Sequence, residues 1–224
     1  MTRTSEMLME MYQAMRARFG HQQWWPGQTP LEVCVGAILT QNTNWTNVEK
    51  AIANLRAAGK LSIPALAAID AAELAAMIKP AGYFNVKARR LKNFIAHVHA
   101  DWGDDLPGFL DRSVSALREE LLGVNGIGRE TADSIILYAA GKCTFVVDAY
   151  TCRILLRHHL IDVDGDYETV KELLEEALPA EVDLYNDFHA QFVAVGKQYC
   201  RPLARCEGCP LEPFPHDPLA GMEE

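Results

Sequence analysis

Apolar residues recur every three or four positions through most of the chain, which is the spacing of one face of an α-helix. Residues 4–19 show the pattern, with Leu8, Met15 and Phe19 on the apolar face. Only residues 143–147 favour a strand, and that run is short, so we predict an all-α fold. The same spacing predicts helices over residues 30–40, 45–58, 63–68, 71–78, 86–102, 114–122, about 131–141, 150–160, 167–177 and 184–199.

The stretch 122–148 carries the most chemical information. Gly126 and Gly128 flank Ile127 between two predicted helices, so this turn can adopt positive φ angles and expose backbone amides. Successive amides at a helix N-terminus form an anion site that suits a phosphate. Asp148 then follows an apolar run, where an acid can be held rigid and partly shielded from water. The stretch therefore pairs a candidate phosphate site with one candidate catalytic carboxylate.

Composition permits a DNA-binding protein without requiring one. The chain has 224 residues, of which 49% are hydrophobic and 23% charged, as is typical of a soluble globular protein. It has no apolar run long enough to cross a membrane and no signal-peptide block, so we expect a cytoplasmic protein. The net charge of −9 argues against a nucleic-acid partner, but residues 79–92 are basic whereas residues 162–187 are rich in acids. This asymmetry permits one DNA-binding face.

Three loops present side chains that suit contact with bases. Trp24 and Trp25 are adjacent, so one could stack on a base, or the pair could plug the space between domains. Gln41 follows a buried helix, where its amide could bond to base edges, or the segment could serve only to cap helices. Tyr83 precedes a helix with basic first turns, and its ring could act as a wedge in a duplex or as a core anchor.

Several motifs together resemble one enzyme family. Val-Asn-Gly-Ile-Gly-Arg-Glu-Thr-Ala resembles a helix-hairpin-helix, and with Val-Val-Asp-Ala-Tyr-Thr-Cys-Arg it is similar to the helix-hairpin-helix DNA glycosylases of the endonuclease III superfamily. Trp-Trp-Pro, Leu-Thr-Gln-Asn-Thr and Gly-Tyr-Phe-Asn-Val-Lys-Ala resemble its monofunctional 3-methyladenine DNA glycosylase branch. The resemblance covers roughly residues 24–200.

The resemblance implies two helical domains with the helix-hairpin-helix and a DNA cleft between them. Residues 27–142 would form a six-helix barrel domain that includes the hairpin at about residues 114–140. Residues 1–26 and 143–224 would form the second domain, with a degenerate iron–sulfur-type loop at the C-terminus. The implied partner is double-stranded DNA containing a damaged base, bound by a monomer and away from any membrane.

The implied reaction is hydrolysis of the N-glycosidic bond of a flipped-out damaged base, an alkylated purine such as 3-methyladenine. Asp148 would stabilise the positive charge that builds on the sugar. The base pocket would consist of Trp24, Trp25, Pro26, Trp45 and Lys197, although Lys197 could instead extend from its helix into solvent. The residues expected to contact DNA are Gln41, Tyr83, Lys87, Arg89, Gly126, Ile127, Gly128, Arg129 and Thr131.

Glu130 departs from the endonuclease III pattern in a way that bears on the reaction type. The family's hairpin places a lysine there, which forms a Schiff base and allows strand cleavage. A carboxylate cannot form an imine with C1′. The resemblance therefore implies a glycosylase without efficient lyase activity.

The C-terminal cysteines resemble the endonuclease III iron–sulfur loop but are incomplete. Cys200, Cys206 and Cys209 are present, whereas Pro215 stands where the fourth cysteine would be. A [4Fe–4S] cluster normally takes four thiolates. Three outcomes are open: a cluster that uses His216, a three-cysteine zinc site completed by His216, or a metal-free loop.

Two further functions are compatible with the same residues. The first is a glycosylase with another base specificity, such as uracil, mismatched bases or the substrates of endonuclease III. The second is a non-catalytic helix-hairpin-helix DNA-binding protein, in which Asp148 would be only a helix N-cap.

Overall fold

The computed structural model describes residues 2–24 and 27–221, and within these ranges it contains α-helices and no strand. The predicted all-α fold is confirmed. Residues 143–147 are mostly buried but form no strand or helix, so the predicted strand tendency of this run does not produce a strand. The helices are α1 (Arg3–Phe19), α2 (Pro30–Leu39), α3 (Trp45–Ala57), α4 (Ile63–Ala68), α5 (Ala71–Met77), α6 (Phe84–Trp102), α7 (Leu106–Leu110), α8 (Val114–Gly123), α9 (Arg129–Ser134), α10 (Ala149–Arg157), α11 (Tyr167–Ala177) and α12 (Val182–Gln198).

Three local features were not predicted from the periodicity. Helix α7 is a single short segment with proline in its first turn, too short to show a repeat. A 3₁₀ turn at Lys79–Ala81 precedes α6, in a segment expected to be a loop. The helix after the hairpin is not regular to its end: α9 is followed by a π-helical segment at Ile135–Ala139, where the Ala140 amide donates to the Ile135 carbonyl oxygen.

Short polar side chains define most of the helix starts. Each accepts a hydrogen bond from a backbone amide in the first turn, which satisfies a donor that the helix itself leaves open. The residues that cap helices in this way are Thr2, Thr29, Asn44, Ser62, Asp70, Asp105, Ser113, Asp148 and Asp166.

The chain folds into two compact units. The first unit comprises Met1–Trp24 and Cys143–Glu224 and contains α1 and α10–α12. The second unit comprises Trp25–Lys142 and contains α2–α9. The six-helix barrel expected for the second unit stays a prediction. None of the helices described is both long enough and apolar enough to span a bilayer.

The second unit is built around an apolar core drawn from most of its helices, with fully buried residues such as Ile38, Leu55 and Phe94. A buried lysine of α6 supports this core. Lys87 is 1% exposed, and its Nζ donates to the carbonyl oxygens of Leu39 and Ala81 at 2.9 and 2.7 Å, close to the C-terminal ends of α2 and the 3₁₀ turn. Helix C-terminal carbonyls attract cations, so buried lysine charge is offset there.

The first unit is tied together by a buried acid on α12. Asp187 is 1% exposed and accepts hydrogen bonds from Tyr12 Oη and the Gln22 amide, both at 2.8 Å. Burial, followed by the contact with Asp187, raises the pKa of Tyr12 to about 12, so the phenol remains a donor at neutral pH. These bonds hold α1 and the loop after it against α12.

Helix α12 also packs closely against the start of α10 because Gly196 has no side chain. A Cβ atom at Gly196 would lie 2.2 Å from Cδ1 and 2.8 Å from Cβ of Tyr150. The clashing atoms include the base of the Tyr150 side chain, which cannot move without the helix. This close approach brings α12 next to Asp148, which begins α10.

We predict that Gly196→Ala destabilises the protein by about 1–3 kcal/mol, because the added methyl overpacks the α10–α12 contact. The matched control is Gly123→Ala at the end of α8, where an added Cβ meets no atom within 4 Å. The control should be neutral or more stable by up to about 1 kcal/mol. Urea unfolding followed by circular dichroism measures both. Equal stability of the two variants would show that the close contact at Gly196 does not constrain the packing.

Candidate active site

Asp148 is positioned by the start of α10. Its Oδ1 accepts hydrogen bonds from the Thr151 amide at 2.8 Å and from Thr151 Oγ1 at 3.0 Å. Its other oxygen, Oδ2, lies 3.5 Å from Nε2 of His189 on α12. The Asp148 side chain is 13% exposed. One carboxylate oxygen therefore caps the helix, while the other faces an imidazole. Asp148 is an N-cap, but its second oxygen is not used in capping.

The electrostatic environment keeps Asp148 ionised. Burial by itself would raise the pKa of the carboxyl group. The hydrogen bond and charge of His189, followed by the hydrogen bonds from Thr151, outweigh burial and hold the pKa of Asp148 below its ordinary value. A charged carboxylate with little water around it has a strong effect on neighbouring charge.

Three more side chains of the first unit lie around this carboxylate. The ring of Trp24 meets the ring of His189 edge to face, with centroids 6.3 Å apart. Nζ of Lys197 lies 5.8 Å from the centroid of the Trp24 ring, in a cation–π arrangement. The buried Nε1 of Trp24 has no hydrogen-bond acceptor among the described residues. These contacts form a chain that links three side chains predicted from the sequence. Lys197 contacts Trp24, Trp24 contacts His189, and His189 contacts Asp148.

His189 was not predicted from the sequence. It is buried on α12 between two other buried polar residues, Asp187 and Gln191, and lies eight positions, a little over two helical turns, before Lys197. That spacing was a signal in the sequence. Its contact with Asp148 depends on tertiary packing and could not be read from the order of residues.

The structure does not test the other three predicted pocket residues against Asp148. Trp45 belongs to the second unit, begins α3 and packs half-buried against the apolar core of that unit. Trp25 and Pro26 lie outside the described residues. Their place in the pocket stays a prediction.

The hairpin between α8 and α9 has only one glycine in a positive-φ conformation. Gly126 has φ +101°, and a Cβ there would lie 2.3 Å from Cγ of Arg90. Gly128 has φ −96° and begins α9 without a side-chain cap. Ile127 between them is buried, so only its backbone could contact a phosphate. The α9 amides next to Gly128 are the anion-binding feature predicted from the sequence.

Gln41 supports the hairpin from within the second unit. Its Nε2 donates to the Gly126 carbonyl oxygen at 3.2 Å and to Thr131 Oγ1 at 2.9 Å, and Arg90 donates to its Oε1. Thr131 is buried and its hydroxyl accepts from Gln41, so this side chain is engaged within the second unit, and its contact with DNA stays a prediction. The Gln41 amide holds the turn that the glycines make possible.

The loop before α6 displays one exposed aromatic ring. Tyr83 is 73% exposed and has a left-handed backbone conformation with φ 43°. This exposure excludes a core role for the ring. Arg89 and Arg129 are also exposed. Lys87 is not available to a phosphate, because it is buried on helix carbonyls and burial lowers its pKa. The expectation that Lys87 contacts DNA was therefore wrong.

Glu130 lies exposed in the first turn of α9. A carboxylate is favourable there because the N-terminus of a helix carries partial positive charge. The structure thus supplies a local reason for an acid at the position where the resemblance places a lysine.

The three C-terminal cysteines line one cavity in the first unit. Cys200, Cys206 and Cys209 surround it together with His158 and His216. No three His, Cys, Asp or Glu side chains of the described chain are grouped closely enough to hold a single metal ion. Burial raises the pKa of the Cys209 thiol to about 11. The arrangement does not match a zinc site, whose four ligands converge on one ion.

Comparisons with known proteins agree with this architecture. Residues 35–180 match the family model described as HhH-GPD superfamily base excision DNA repair protein. The chain is 43% identical to the "Putative DNA repair glycosylase MJ1434" of Methanocaldococcus jannaschii, over 93% of this chain and 96% of that protein.

Two solved structures have a similar fold. The first is the Helicobacter pylori 3-methyladenine DNA glycosylase MagIII bound to 1,N6-ethenoadenine, with a TM-score of 0.75, 28% identity, and coverage of 87% of this chain and 97% of that one. The second is a non-covalent endonuclease III–DNA complex, with a TM-score of 0.81, 21% identity and coverage of 96% of both chains. At this identity, the second likeness concerns the fold alone. The matched family model and the relative from Methanocaldococcus jannaschii show that the chain belongs to the HhH-GPD superfamily of base excision DNA repair proteins.

Proposed function

We propose that this base excision repair DNA glycosylase is monofunctional and releases alkylated purines, such as 3-methyladenine, from double-stranded DNA. The observation that carries the proposal is the ionised, mostly buried carboxylate of Asp148, linked through His189 to the ring of Trp24. A purely structural N-cap needs neither the histidine nor the adjacent indole.

The proposed chemistry is hydrolysis at C1′ of the damaged nucleotide. The C1′–N bond breaks, its electron pair leaves with the base, and positive charge builds on the sugar. Asp148 stabilises that charge and orients a water, which adds to C1′ and gives up a proton. An alkylated purine is already cationic, so it leaves without a general acid.

Trp24 supports the choice of a cationic purine. Lys197 places its ammonium group over the Trp24 ring, so this ring face accepts a cation in the absence of DNA. A cationic base that stacks there would replace the ammonium group. The likeness to the Helicobacter pylori 3-methyladenine DNA glycosylase, at 28% identity, supports the same substrate class.

Glu130 supports the monofunctional reaction. The position that would carry a lysine nucleophile holds a carboxylate in the first turn of α9, and a carboxylate cannot form a Schiff base. DNA would be bound by the α9 amides beside Gly128, by Arg89 and Arg129, and by Tyr83 as the wedge, with the protein acting as a monomer. A [4Fe–4S] cluster at the C-terminal cysteines would be a structural or redox centre, and no step of the hydrolysis passes through it.

We predict that Asp148→Asn lowers the single-turnover rate of 3-methyladenine release by about 10²- to 10³-fold, because the charge that stabilises the sugar is lost. Asparagine is as good an N-cap as aspartate, so α10 should remain intact. The assay uses alkylated, uracil-containing and mismatched duplexes, with DNA binding measured in parallel. Equal base release by the variant and the wild type would contradict the catalytic role of Asp148. Binding without release by either protein would favour a DNA-binding module.

We predict that His189→Leu shifts the acidic limb of the pH–rate profile to higher pH. The variant loses the largest influence that lowers the pKa of Asp148, while burial, which raises it, remains. The carboxylate therefore becomes protonated, and inactive, at a higher pH than in the wild type. His189→Gln, which retains a donor, should shift the limb less. The measurement is base release across the acidic range, corrected for enzyme-free depurination. An unchanged profile in His189→Leu would remove His189 from the site.

We predict that the wild-type enzyme leaves an intact abasic site and forms no covalent complex with DNA in the presence of borohydride. Strand breaks should appear only after alkali, since no amine occupies the position of Glu130. A bifunctional endonuclease III enzyme in a parallel reaction is the positive control. A trapped complex that disappears in Lys197→Met would instead assign a lyase step to Lys197.

A further inference from the structure

One half-buried arginine of the second unit has no carboxylate partner. Two arginines of similar burial are paired. Arg118 donates from Nε and Nη2 to the two carboxylate oxygens of Asp133, at 2.9 and 3.2 Å, and Arg112 forms an ion pair with Glu120. Arg90 on α6 is also half-buried, but it forms no ion pair within residues 2–24 and 27–221. Partial burial strengthens the attraction between opposite charges, so Arg90 is suited to bind an anion from outside the chain.

Arg90 is held in place by a neutral amide and by the hairpin turn. Its Nη1 donates to Oε1 of Gln41. Nε2 of Gln41 in turn donates to the Gly126 carbonyl oxygen at 3.2 Å and to Thr131 Oγ1 at 2.9 Å, which fixes the orientation of the amide. The stem of Arg90 lies against the turn, because a Cβ atom at Gly126 would overlap its Cγ. The guanidinium is therefore ordered before any ligand binds, which lowers the entropy cost of binding.

The edge of the guanidinium that Gln41 does not use can bind two oxygens at once. Nε and Nη2 of Arg90 donate to no atom in the part of the chain that the structure describes. They are the same two nitrogens through which Arg118 binds both oxygens of Asp133. A phosphate presents two oxygens that match this fork.

The charges around Arg90 also favour an anion. Burial, followed by the nearby charge of Arg90, lowers the pKa of Lys87. The two cations therefore repel each other, and Lys87 is already engaged with the carbonyl oxygens of Leu39 and Ala81. A negative charge bound to Arg90 would relieve this repulsion.

We propose that Arg90 binds a backbone phosphate of DNA beside the hairpin turn, and that Gln41 is the positioning residue that orients its guanidinium. Tyr83, the proposed wedge, immediately precedes α6, and Arg90 lies about two turns into that helix. A backbone phosphate carries no sequence information, so this contact contributes equally to damaged and undamaged DNA. The inference rests on the DNA binding in the proposed function, but on neither the choice of base nor the reaction.

The test is the salt dependence of binding to an undamaged duplex, measured by fluorescence anisotropy with the full-length protein. Arg90→Met keeps an unbranched stem against the turn but removes the charge. It should weaken binding by about tenfold at low salt. It should also reduce the slope of log affinity against log salt concentration by about 0.9, the value for one phosphate. Arg90→Lys keeps the charge and should restore the slope, with weaker binding than the wild type because lysine lacks the fork.

Variants of Gln41 test its positioning role. In Gln41→Glu a carboxylate would pair with Arg90 and neutralise it, so the slope should fall as in Arg90→Met although the arginine is intact. Gln41→Ala should weaken binding, but adding it to Arg90→Met should cause no further loss, because Gln41 acts through Arg90. Additive losses would instead give Gln41 a DNA contact of its own and overturn its positioning role.

Arg112→Met is the matched control, because it removes the same charge from another half-buried arginine of the second unit. Its slope should equal that of the wild type. An unchanged slope in Arg90→Met, an equal fall in Arg112→Met, or a slope that Arg90→Lys does not restore would overturn the proposal. Circular dichroism checks that each variant is folded, and if Arg90→Met is not, an unchanged slope in Gln41→Glu would be equally contrary.

These measurements use no damaged base and no base release. A wild-type protein that fails to release alkylated purines would contradict the proposed function and leave the phosphate contact standing. A wild-type protein that releases them, with a slope that Arg90→Met does not change, would do the reverse.

Discussion

The proposed site depends on keeping one mostly buried carboxylate ionised. Burial opposes ionisation of Asp148, and the contacts from His189 and Thr151 reverse that effect. The bonds that make Asp148 an N-cap also fix its orientation, and the helix N-terminus adds favourable positive potential. Capping is therefore compatible with the proposed catalytic role, since the same local structure serves both.

The position of His189 depends in turn on how α12 is held. Asp187 attaches α12 to α1 through Tyr12, and Gly196 allows α12 to approach the start of α10. Neither residue needs to contact a substrate. They determine whether the imidazole reaches the carboxylate, so changes far from the chemistry can act on the pKa of Asp148.

Much of the fold could be predicted because the helices are amphipathic and begin with capping residues. Helix α7 was missed because five residues cannot display a helical period. In the site, Asp148 and Trp24 could be found from motifs, whereas His189 could not, because its contact with Asp148 is created by packing between distant segments. The basic segment was misread for a related reason: sequence shows a lysine at position 87, but not that its charge is buried on helix carbonyls.

The burial of lysine charge on helix carbonyls affects how strongly the affinity for DNA depends on ionic strength. Lys92, like Lys87, donates to the carbonyl oxygens of a helix end, here those of Leu66, Ala67 and Ile69. Each phosphate that a cation neutralises releases counterions and steepens the dependence of affinity on ionic strength. With two lysines already engaged inside the second unit, fewer cations take part in that exchange than the sequence indicates. The affinity of this protein for DNA should therefore fall less steeply with ionic strength than its count of lysines and arginines suggests.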